Sequence, residues 1–341
     1  MASSSNPAIS YKKIQGITMG TSYHITYKAD TTSIPQEQID SILVAINQSV
    51  STYIDDSTIS QLNKPSTPER IDVLENGKMA YMQRVVLPAD PHFLANHKKS
   101  LDIWRESSGH FDPTVMPLVN YWGFGYTSKK PVTQTDSSKV KSLLDLVGLG
   151  KITLEHDNNT MTIIKPPGSE IDYSAIAKGY AVDQLGEHFE NNNIHDYFVE
   201  IGGEVLARGK NPKGEFWRVG LNKPVSEATP TDILEIIALD NMSLASSGNY
   251  RIYHVVDNKK YGHEINPLTG YPEQNEILGV SILSESCMEA DAVATACMIM
   301  GLESAITFVE ERLHLEGCFF YSDENGEIVY KATPGFQILQ N

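Results

Sequence analysis

The stretch Ala290–Leu302 reads ADAVATACMIMGL and is the most informative part of the sequence for the fold. Apolar residues occupy nearly every face of a helix formed here, so the pattern predicts a helix that is buried all round. Asp291 is the only charged residue in this window. Burying a carboxylate costs several kcal/mol of folding free energy unless it is paired or binds a metal ion. The stretch therefore predicts both a core helix and a candidate site.

Strands and helices are interspersed along the rest of the chain. Alternation of polar and apolar residues at 22–27 and 160–164 predicts strands. Hairpin turns are predicted at Asn158-Asn159, Asp257-Asn258 and Asn325-Gly326. Helical periodicity occurs at Gln36–Ile46, His92–Glu106, Ser138–Leu146, Ala175–Glu190, Met288–Met300 and Leu302–Arg312. Because the strands often come in hairpin pairs, an α+β fold with a mixed or antiparallel sheet and packed helices is favoured over a doubly wound sheet.

The composition and length are those of one large globular domain. Of the 341 residues, 40% are hydrophobic and 21% are charged, which is typical of globular proteins. The proline-containing stretches look like surface loops, and none is long or polar enough to require a domain boundary. We therefore expect a flexible leader at 1–10, a single domain at 11–335 and a tail at 336–341.

The charge balance and the motif search exclude several classes of protein. The chain has 27 Lys and Arg against 43 Asp and Glu, a net charge of −16, which is unlike a nucleic-acid-binding surface. An anionic ligand would therefore need a metal ion or helix N-termini to offset repulsion. Three cysteines are too few and too scattered for a disulfide framework. Phosphate-loop, dinucleotide-binding, zinc-protease and serine-hydrolase motifs are absent.

Asp291 and Thr295 form the first candidate site. They are four residues apart, one turn along the same helix face. A carboxylate and a hydroxyl so placed can supply oxygen ligands to Mg2+, which keeps its other positions for water and phosphate. Alternatively, Asp291 is a first-turn residue favoured by the helix dipole and Thr295 bonds back to a carbonyl. The residues alone leave both interpretations open.

The segment 171–183 reads IDYSAIAKGYAVD and overlaps a predicted helix. Asp172 and Ser174 are suited to capping that helix. Lys178 falls in its first turn, where an ammonium group beside free backbone amides would attract a diphosphate. The alternative is an ordinary capped helix with a solvated lysine.

Three further segments carry residues suited to a ligand site. Residues 108–125, SGHFDPTVMPLVNYWGFG, predict a loop that lies beside a flat ligand or fills a core edge. Glu200–Glu204 contains two glycines that permit close backbone approach, although a simple turn is the plainer explanation. His263 precedes a tight turn and is either a general base or a structural histidine.

In this order the segments resemble the ApbE family, the FAD:protein FMN transferases. The resemblance extends from near residue 11 to beyond residue 300 and so covers nearly the whole chain. The matching stretches are 19–23 (MGTSY), 51–53 (STY), 109–114 (GHFDPT) with 122–124 (WGF), 172–183, 200–203 (EIGG), 247–248 with 250–251, 263–270 (HEINPLTG) and 289–292 (EADA) with Thr295.

The resemblance implies an ApbE-like fold and an enzyme that transfers FMN from FAD to a Thr or Ser hydroxyl of an acceptor protein, releasing AMP. It implies Mg2+ as cofactor, held by the backbone carbonyl of Ala175 and the side chains of Asp291 and Thr295. It also implies that His263 takes the proton of the acceptor hydroxyl, with Asp291 the second catalytic residue. The implied FAD contacts are Met19, Tyr53, His110, Phe111, Asp112, Asp172, Lys178 and Ile265.

The resemblance further implies partners and a location. The acceptor would be a protein such as a subunit of a membrane redox complex, with no nucleic acid involved. Many family members are lipoproteins, so we expect the periplasmic or extracytoplasmic face of the cytoplasmic membrane and a lipid anchor on a precursor. Two alternatives stay open, namely a Mg2+-dependent FAD pyrophosphatase yielding FMN and AMP, and a flavin-binding protein without turnover.

Overall fold

The structure, a computed structural model, describes residues 10–29, 32–65, 68–75, 78–127, 132, 134–225, 232–249, 253–256 and 259–339. The helices are α1 (Gln36–Val50), α2 (Thr58–Asn63), α3 (Pro91–Glu106), α4 (Met116–Trp122), α5 (Ser137–Leu144), α6 (Ala177–Asn191), α7 (Cys287–Met300) and α8 (Leu302–Glu310). The strands are β1 (Tyr11–Thr18), β2 (Thr21–Lys28), β3 (Glu69–Glu75), β4 (Lys78–Pro88), β5 (Thr153–His156), β6 (Thr160–Lys165), β7 (Tyr197–Ile201), β8 (Glu204–Arg208), β9 (Trp217–Asn222), β10 (Ile233–Leu239), β11 (Ser243–Gly248), β12 (Tyr253–Val256), β13 (Lys259–Gly262), β14 (Ile277–Ser284), β15 (Glu316–Ser322) and β16 (Ile328–Ala332).

The largest sheet has eight strands in the order β1-β2-β7-β8-β11-β14-β15-β16. Every neighbouring pair in it is antiparallel. A second sheet has the order β3-β4-β6-β5, and β9–β10 and β12–β13 form two-stranded ribbons. The expected α+β fold with an antiparallel sheet and packed helices is therefore confirmed.

Side-chain alternation gives the large sheet two buried faces. In β15, Phe319 belongs to the main core, whereas Cys318 and Phe320 belong to a second hydrophobic cluster. On the first face, helices α6, α7 and α8 contact the sheet. On the second face, Trp217 and Leu221 of the β9–β10 ribbon pack into the second cluster. The sheet is therefore enclosed between a helical layer and a β-ribbon.

Helix α7 lies in the main core, as its sequence predicts. It contacts β11 and β14 of the sheet and packs against α6 and α3. Its Asp291 side chain is buried, with 4% exposure. The only charged side chain of the stretch 290–302 is therefore buried in the core, where carboxylates are rare.

The six predicted helices correspond to α1, α3, α5, α6, α7 and α8, with ends shifted by a few residues. Both predicted strands are present as β2 and β6. Asn158-Asn159 connects β5 to β6 and Asn325-Gly326 connects β15 to β16, as predicted. The turn predicted at Asp257-Asn258 lies outside the described residues.

The loop predicted at 108–125 is wrong for its second half, because Met116–Trp122 forms α4. Pro117 lies in the first turn of this helix, where a missing N–H group has no helical partner to lose. Gly123 adopts φ 83° after the last residue, which is the left-handed conformation that commonly ends helices. Proline here therefore begins a helix, although its presence suggested a loop.

Asp172 and Ser174 do not cap α6, contrary to the sequence-based prediction. The helix begins at Ala177, and its N-cap residue Ile176 makes no side-chain capping bond. The Asp172 Oδ1 atom instead accepts hydrogen bonds from the Ser174 amide at 3.2 Å and hydroxyl at 2.8 Å. These bonds form a turn before the helix, so the capping carboxylate has to come from elsewhere.

Helices α6 and α7 cap each other. The Oδ2 atom of Asp291 in α7 accepts a hydrogen bond from the Gly179 amide in the first turn of α6, at 3.0 Å. In return, Asp183 of α6 accepts hydrogen bonds from the amides of Cys287 and Met288 at 2.8 and 3.0 Å. Each carboxylate satisfies amides that have no partner within their own helix. The exchange fixes the two N-termini side by side.

Gly179 permits this approach, and we expect Gly179→Ala to destabilise the protein. A Cβ atom at Gly179 would lie 2.6 Å from the Cys287 carbonyl carbon and 2.8 Å from Met288 Cα, so the helices would have to separate. Overpacking of this kind costs about 1–3 kcal/mol of unfolding free energy, measurable by urea denaturation. The matched control is Gly186→Ala in the same helix, where the nearest atom is the flexible end of Leu206. An equal loss in both variants would contradict the explanation.

Residues near the end of the described chain pack onto the domain. Of the predicted leader at 1–10, only Ser10 lies within the described residues. In the predicted tail, Phe336 is buried in the second cluster, and the Leu339 amide bonds to the Ile236 carbonyl at 2.8 Å. The packed domain thus continues to 339. Within the described ranges, no helix has the length and apolar character needed to cross a bilayer.

Candidate functional site

A cavity of about 510 Å3 lies where the N-termini of α6 and α7 meet the segment 110–125 and the loop after β13. All the residues selected from the sequence except Met19 line it, namely Tyr53, His110, Phe111, Asp112, Asp172, Ala175, Lys178, His263, Ile265, Asp291 and Thr295. Met19 lines a neighbouring cavity of about 620 Å3, which shares Tyr53, Ser174 and Lys178 with the first. The fold therefore gathers the selected residues around two adjoining cavities.

Asp291 contributes a buried carboxylate to the cavity. Burial raises its pKa, and the nearby Lys178 ammonium and the Gly179 amide oppose that effect. Its Oδ2 atom is engaged by the Gly179 amide. This combination of a cavity-lining position and a fixed orientation is suited to binding a cation.

Thr295 lies one turn further along α7 and lines the same cavity. Its hydroxyl is 3.3 Å from the hydroxyl of Ser247 in β11. Beside it, the hydroxyls of Ser246 and Ser281 are 2.8 Å apart. The end of β11 therefore forms a hydroxyl-rich wall next to the carboxylate of Asp291.

The side chains of Lys178 and Glu204 are in contact at the cavity wall. The Lys178 Nζ atom lies 2.5 Å from Glu204 Oε1. Burial acts to lower the pKa of Lys178, but the carboxylates of Glu204 and Asp291 outweigh it and raise that pKa above its ordinary value. Burial raises the pKa of Glu204 to about 8, with Lys178 opposing and Asp291 reinforcing the shift.

Glu204 is a site residue that the sequence analysis did not select. Its side chain is 2% exposed, and its Oε2 atom has no hydrogen-bond partner among the described residues. The segment EIGGE could have indicated it, because Glu204 directly follows two glycines and begins the largely buried strand β8. Nothing local shows that this strand passes Lys178, which is 26 positions away in the sequence.

The segment 110–125 forms the aromatic side of the cavity, with Phe111 and Phe124 in its lining. Asp112 holds this segment in place. Its Oδ1 atom accepts hydrogen bonds from the Thr114 amide at 2.8 Å and hydroxyl at 2.5 Å, and its Oδ2 atom accepts one from the Leu149 amide at 3.1 Å. Burial raises the Asp112 pKa, and these bonds oppose the shift. Three of its hydrogen bonds are thus used within the fold.

His263 lies at the end of β13 and lines the cavity. Its Nε2 atom is 3.4 Å from Glu264 Oε1, and its ring makes an edge contact with Phe124 at a centroid distance of 6.4 Å. The following loop is closed by a bridge between Ile265 and Pro272. The loop that follows His263 is thus a closed turn.

The donors in the cavity fit Mg2+. Asp291, Thr295 and the Ala175 carbonyl offer the hard oxygen atoms that this ion prefers. Glu204 Oε2 is a further buried oxygen, with no hydrogen-bond partner in the described ranges. Among the described residues no group of three or more His, Cys, Asp or Glu side chains could hold a metal ion. Such a sparse set suits an ion that takes its remaining ligands from water and substrate phosphates.

Comparison with known sequences gives consistent matches. The ApbE family pattern matches residues 19–319. The FAD:protein FMN transferase of Haemophilus influenzae is 34% identical over 335 residues, covering 96% of this chain and 90% of that protein. The protein of the same name from Vibrio cholerae is 33% identical, covering 87% of this chain and 84% of the relative.

Solved structures show the same fold. The flavin transferase ApbE of Vibrio cholerae superposes with a TM-score of 0.79 at 29% identity, covering 96% of this chain and 98% of the other. The apo flavinyl transferase ApbE of Pseudomonas stutzeri superposes with a TM-score of 0.81 at 25% identity, covering 96% of each chain. Since the family pattern and the relatives each span most of the sequence, this chain belongs to the ApbE family.

Proposed function

We propose that the chain is a FAD:protein FMN transferase, which moves FMN from FAD to a hydroxyl group of an acceptor protein and releases AMP. The observation that carries this proposal is the single cavity in which Asp291, Thr295, Lys178 and His263 come together. The relatives that match most of the chain bear that enzyme's name.

The cavity supplies what binding of FAD requires. Lys178 places an ammonium group in the first turn of α6 at the cavity wall, where it can attract a diphosphate. Tyr53, Phe111 and Phe124 provide flat apolar surface for the rings. Because the chain has a net charge of −16, local cationic groups have to offset the repulsion of the diphosphate.

Asp291, Thr295 and the Ala175 carbonyl would hold Mg2+. When bound, the ion supplies neutralisation of the diphosphate and stabilises charge on the leaving phosphate. The capping bond from Gly179 to Asp291 orients the carboxylate, so the first turn of α6 and the metal ligand move as one unit.

His263 is positioned to act on the acceptor hydroxyl. In the transfer, the hydroxyl oxygen bonds to the FMN phosphorus of FAD, the bond from that phosphorus to the AMP oxygen breaks, and AMP leaves with the electron pair. The hydroxyl proton passes to His263. An imidazole is suited to this role because its ordinary pKa lies near neutrality.

A paired product assay tests the proposal. The protein is incubated with FAD and Mg2+, with and without an acceptor domain that carries an exposed threonine. AMP together with an acceptor heavier by one FMN is the expected result. AMP with an unmodified acceptor would indicate hydrolysis of FAD instead, and FAD binding without AMP would indicate a flavin-binding protein without turnover.

The acceptor proposed for the cell is a subunit of a membrane redox complex, and the proposed location is the extracytoplasmic side of the cytoplasmic membrane, with a lipid anchor on the precursor. The family resemblance supports both. Fractionation of the source cells is the test, with the protein expected among extracytoplasmic or membrane-attached proteins and its lipid detected by mass spectrometry. Recovery only from the cytoplasm would contradict the proposed location.

The charge of Glu204 should make FAD binding depend on pH when metal is chelated. Because the Glu204 pKa is raised to about 8, the carboxyl is largely protonated below that pH and becomes a negative group beside Lys178 above it. We therefore expect the Kd of FAD to rise about fivefold between pH 7 and pH 9, equivalent to about 1 kcal/mol of repulsion. Glu204→Gln should remove that rise, as measured by flavin fluorescence.

Lys178→Met is the matched variant, because it removes the positively charged group that contacts Glu204. It should weaken FAD binding at both pH values. If Glu204→Gln keeps the rise seen in the wild type, another group is responsible for the pH dependence.

A further inference from the structure

The large sheet has a gap next to the proposed reaction site. Strand β11 pairs with β14 along its whole length, from Ser243 to Gly248. With β8 it pairs only at Ser243 and Leu244. Residues 245–248 therefore have no strand partner on the β8 side within the described part of the chain.

The gap exists because the neighbouring hairpin ends early. Strands β7 and β8 are joined by the tight turn Gly202–Gly203, in which both residues have positive φ, +61° and +108°. Glu200 holds this turn, since its Oε1 atom accepts a hydrogen bond from the Gly203 amide at 2.8 Å. Beyond the turn, β11 continues without a strand partner on this edge among the residues that the structure describes.

This open edge separates two cavities. A cavity of about 400 Å3 lies between the sheet and the β9–β10 ribbon and is lined by Gly202, Gly203, Ser246 and Ser247. Ser246 and Ser247 also line the cavity that contains Asp291 and His263. Ser246 is exposed, and Ser247 and Gly248 are half-buried. A polypeptide at this edge would reach both cavities.

We propose that the acceptor protein binds as an extended segment along residues 246–248 of β11, with its Thr or Ser side chain directed into the FAD cavity. This inference rests on the proposed transferase function. An open strand edge recognises another strand through backbone hydrogen bonds. Successive side chains of an added strand point to opposite faces, so the neighbours of the hydroxyl residue enter the cavity beneath the β9–β10 ribbon.

The lining of that second cavity indicates which neighbours fit. The lining is mixed, with apolar surface from Phe198 and Phe320 and polar groups from Glu200, Arg218 and Asn222, and the glycine turn adds no side chain that would block the approach. Small residues are therefore expected next to the hydroxyl residue where the added strand passes the glycine turn. The Ser247 hydroxyl, 3.3 Å from that of Thr295, marks the point where the added strand comes nearest to the proposed metal ligands.

The probe for the test is obtained from the enzyme itself. Wild-type protein, FAD and Mg2+ are incubated with the membrane and extracytoplasmic proteins of the source cells, and the protein that gains FMN is identified by mass spectrometry. The absence of any modified protein would overturn the transferase function and this inference with it. If a modified protein is found, the probe is a synthetic 15-residue peptide of its sequence, centred on the modified residue.

The binding mode is tested by methylating the backbone nitrogen of each peptide residue in turn. Strand addition directs alternate N–H groups to the partner edge. Methylation at every second position should therefore lower the rate of flavin transfer at least tenfold, and methylation at the positions between should change it less than twofold. Uniform effects, or a wild-type enzyme that modifies the whole acceptor but not the peptide, would overturn strand addition while leaving the transferase function intact.

The location is tested with Arg218→Cys labelled with pyrene maleimide. Arg218 is exposed and lines the second cavity but not the first, and the native cysteines Cys287, Cys297 and Cys318 are buried. Labelling should lower peptide flavinylation at least tenfold and leave FAD binding within twofold. Leu313→Cys, at a position that is 99% exposed and lines none of these cavities, is the labelled control. Unchanged flavinylation, or protection of Cys at 218 by FAD alone, would overturn the location.

Discussion

Asp291→Asn should lower Mg2+-dependent flavin transfer by at least about 100-fold while leaving the protein folded. The substitution keeps an oxygen atom that can accept the hydrogen bond from the Gly179 amide, now made at 3.0 Å. It removes the negative charge that a divalent ion requires. Transfer is measured as FMN-bearing acceptor formed over time across a range of Mg2+ concentrations, and folding is measured by urea denaturation.

Two further variants separate the metal role of Asp291 from its structural role. Asp291→Ala removes the partner of the Gly179 amide as well, and leaving that buried group unsatisfied should cost about 1–3 kcal/mol of unfolding free energy. Asp183→Asn weakens the mirror-image capping bonds to Cys287 and Met288 and should destabilise the protein without changing its Mg2+ dependence. Wild-type transfer rates for Asp291→Asn would refute the metal assignment.

His263→Ala should slow flavin transfer by about 100-fold to 10,000-fold, the usual contribution of a general base. FAD affinity should stay within about threefold of the wild-type value, because the role proposed for His263 concerns the acceptor hydroxyl and the diphosphate is proposed to bind beside Lys178. Single-turnover formation of flavinylated acceptor gives the rate, and flavin fluorescence gives the affinity.

His110 provides the matched comparison, because it lines the same cavity. Its Nδ1 atom hydrogen-bonds to the Ser107 carbonyl at 2.6 Å, which fixes the ring against the segment assigned to FAD binding. His110→Ala should therefore weaken FAD affinity more than it slows transfer by the bound enzyme. If His263→Ala shows that same partition, or transfers flavin undiminished, its role as base is refuted.

Local sequence patterns predicted most of the helices. The period of the apolar residues identified helices α1, α3, α5, α6, α7 and α8 because a helix repeats its contacts every three to four residues. The same reasoning predicted the wrong state at 116–122, since Pro117 was weighed without knowing that it lies in a first turn. The predicted cap of α6 was wrong because its partner, Asp291, is 112 residues away.

The site residues also separate into those that local sequence patterns indicated and those that only the fold shows. The helical spacing of Asp291 and Thr295 placed them on one face. Residue chemistry left two interpretations open for His263 and Lys178, and the family resemblance favoured the functional one. The structure shows these residues at one cavity, while their roles stay predictions. Glu204 was passed over because an EIGGE turn is ordinary by itself, and only the fold shows its side chain against Lys178 at 2.5 Å.

The sequence by itself determined that the chain has a mostly apolar core helix with Asp291 on it, an α+β composition and the ordered segments of a known family. Those features depend on residues close together in the chain, where spacing directly sets which side chains share a face. The tertiary structure alone decided the mutual capping of α6 and α7, the burial of Glu204 and the open edge of β11. Each of these depends on segments brought together by core packing, and no local pattern encodes a contact between residues tens of positions apart.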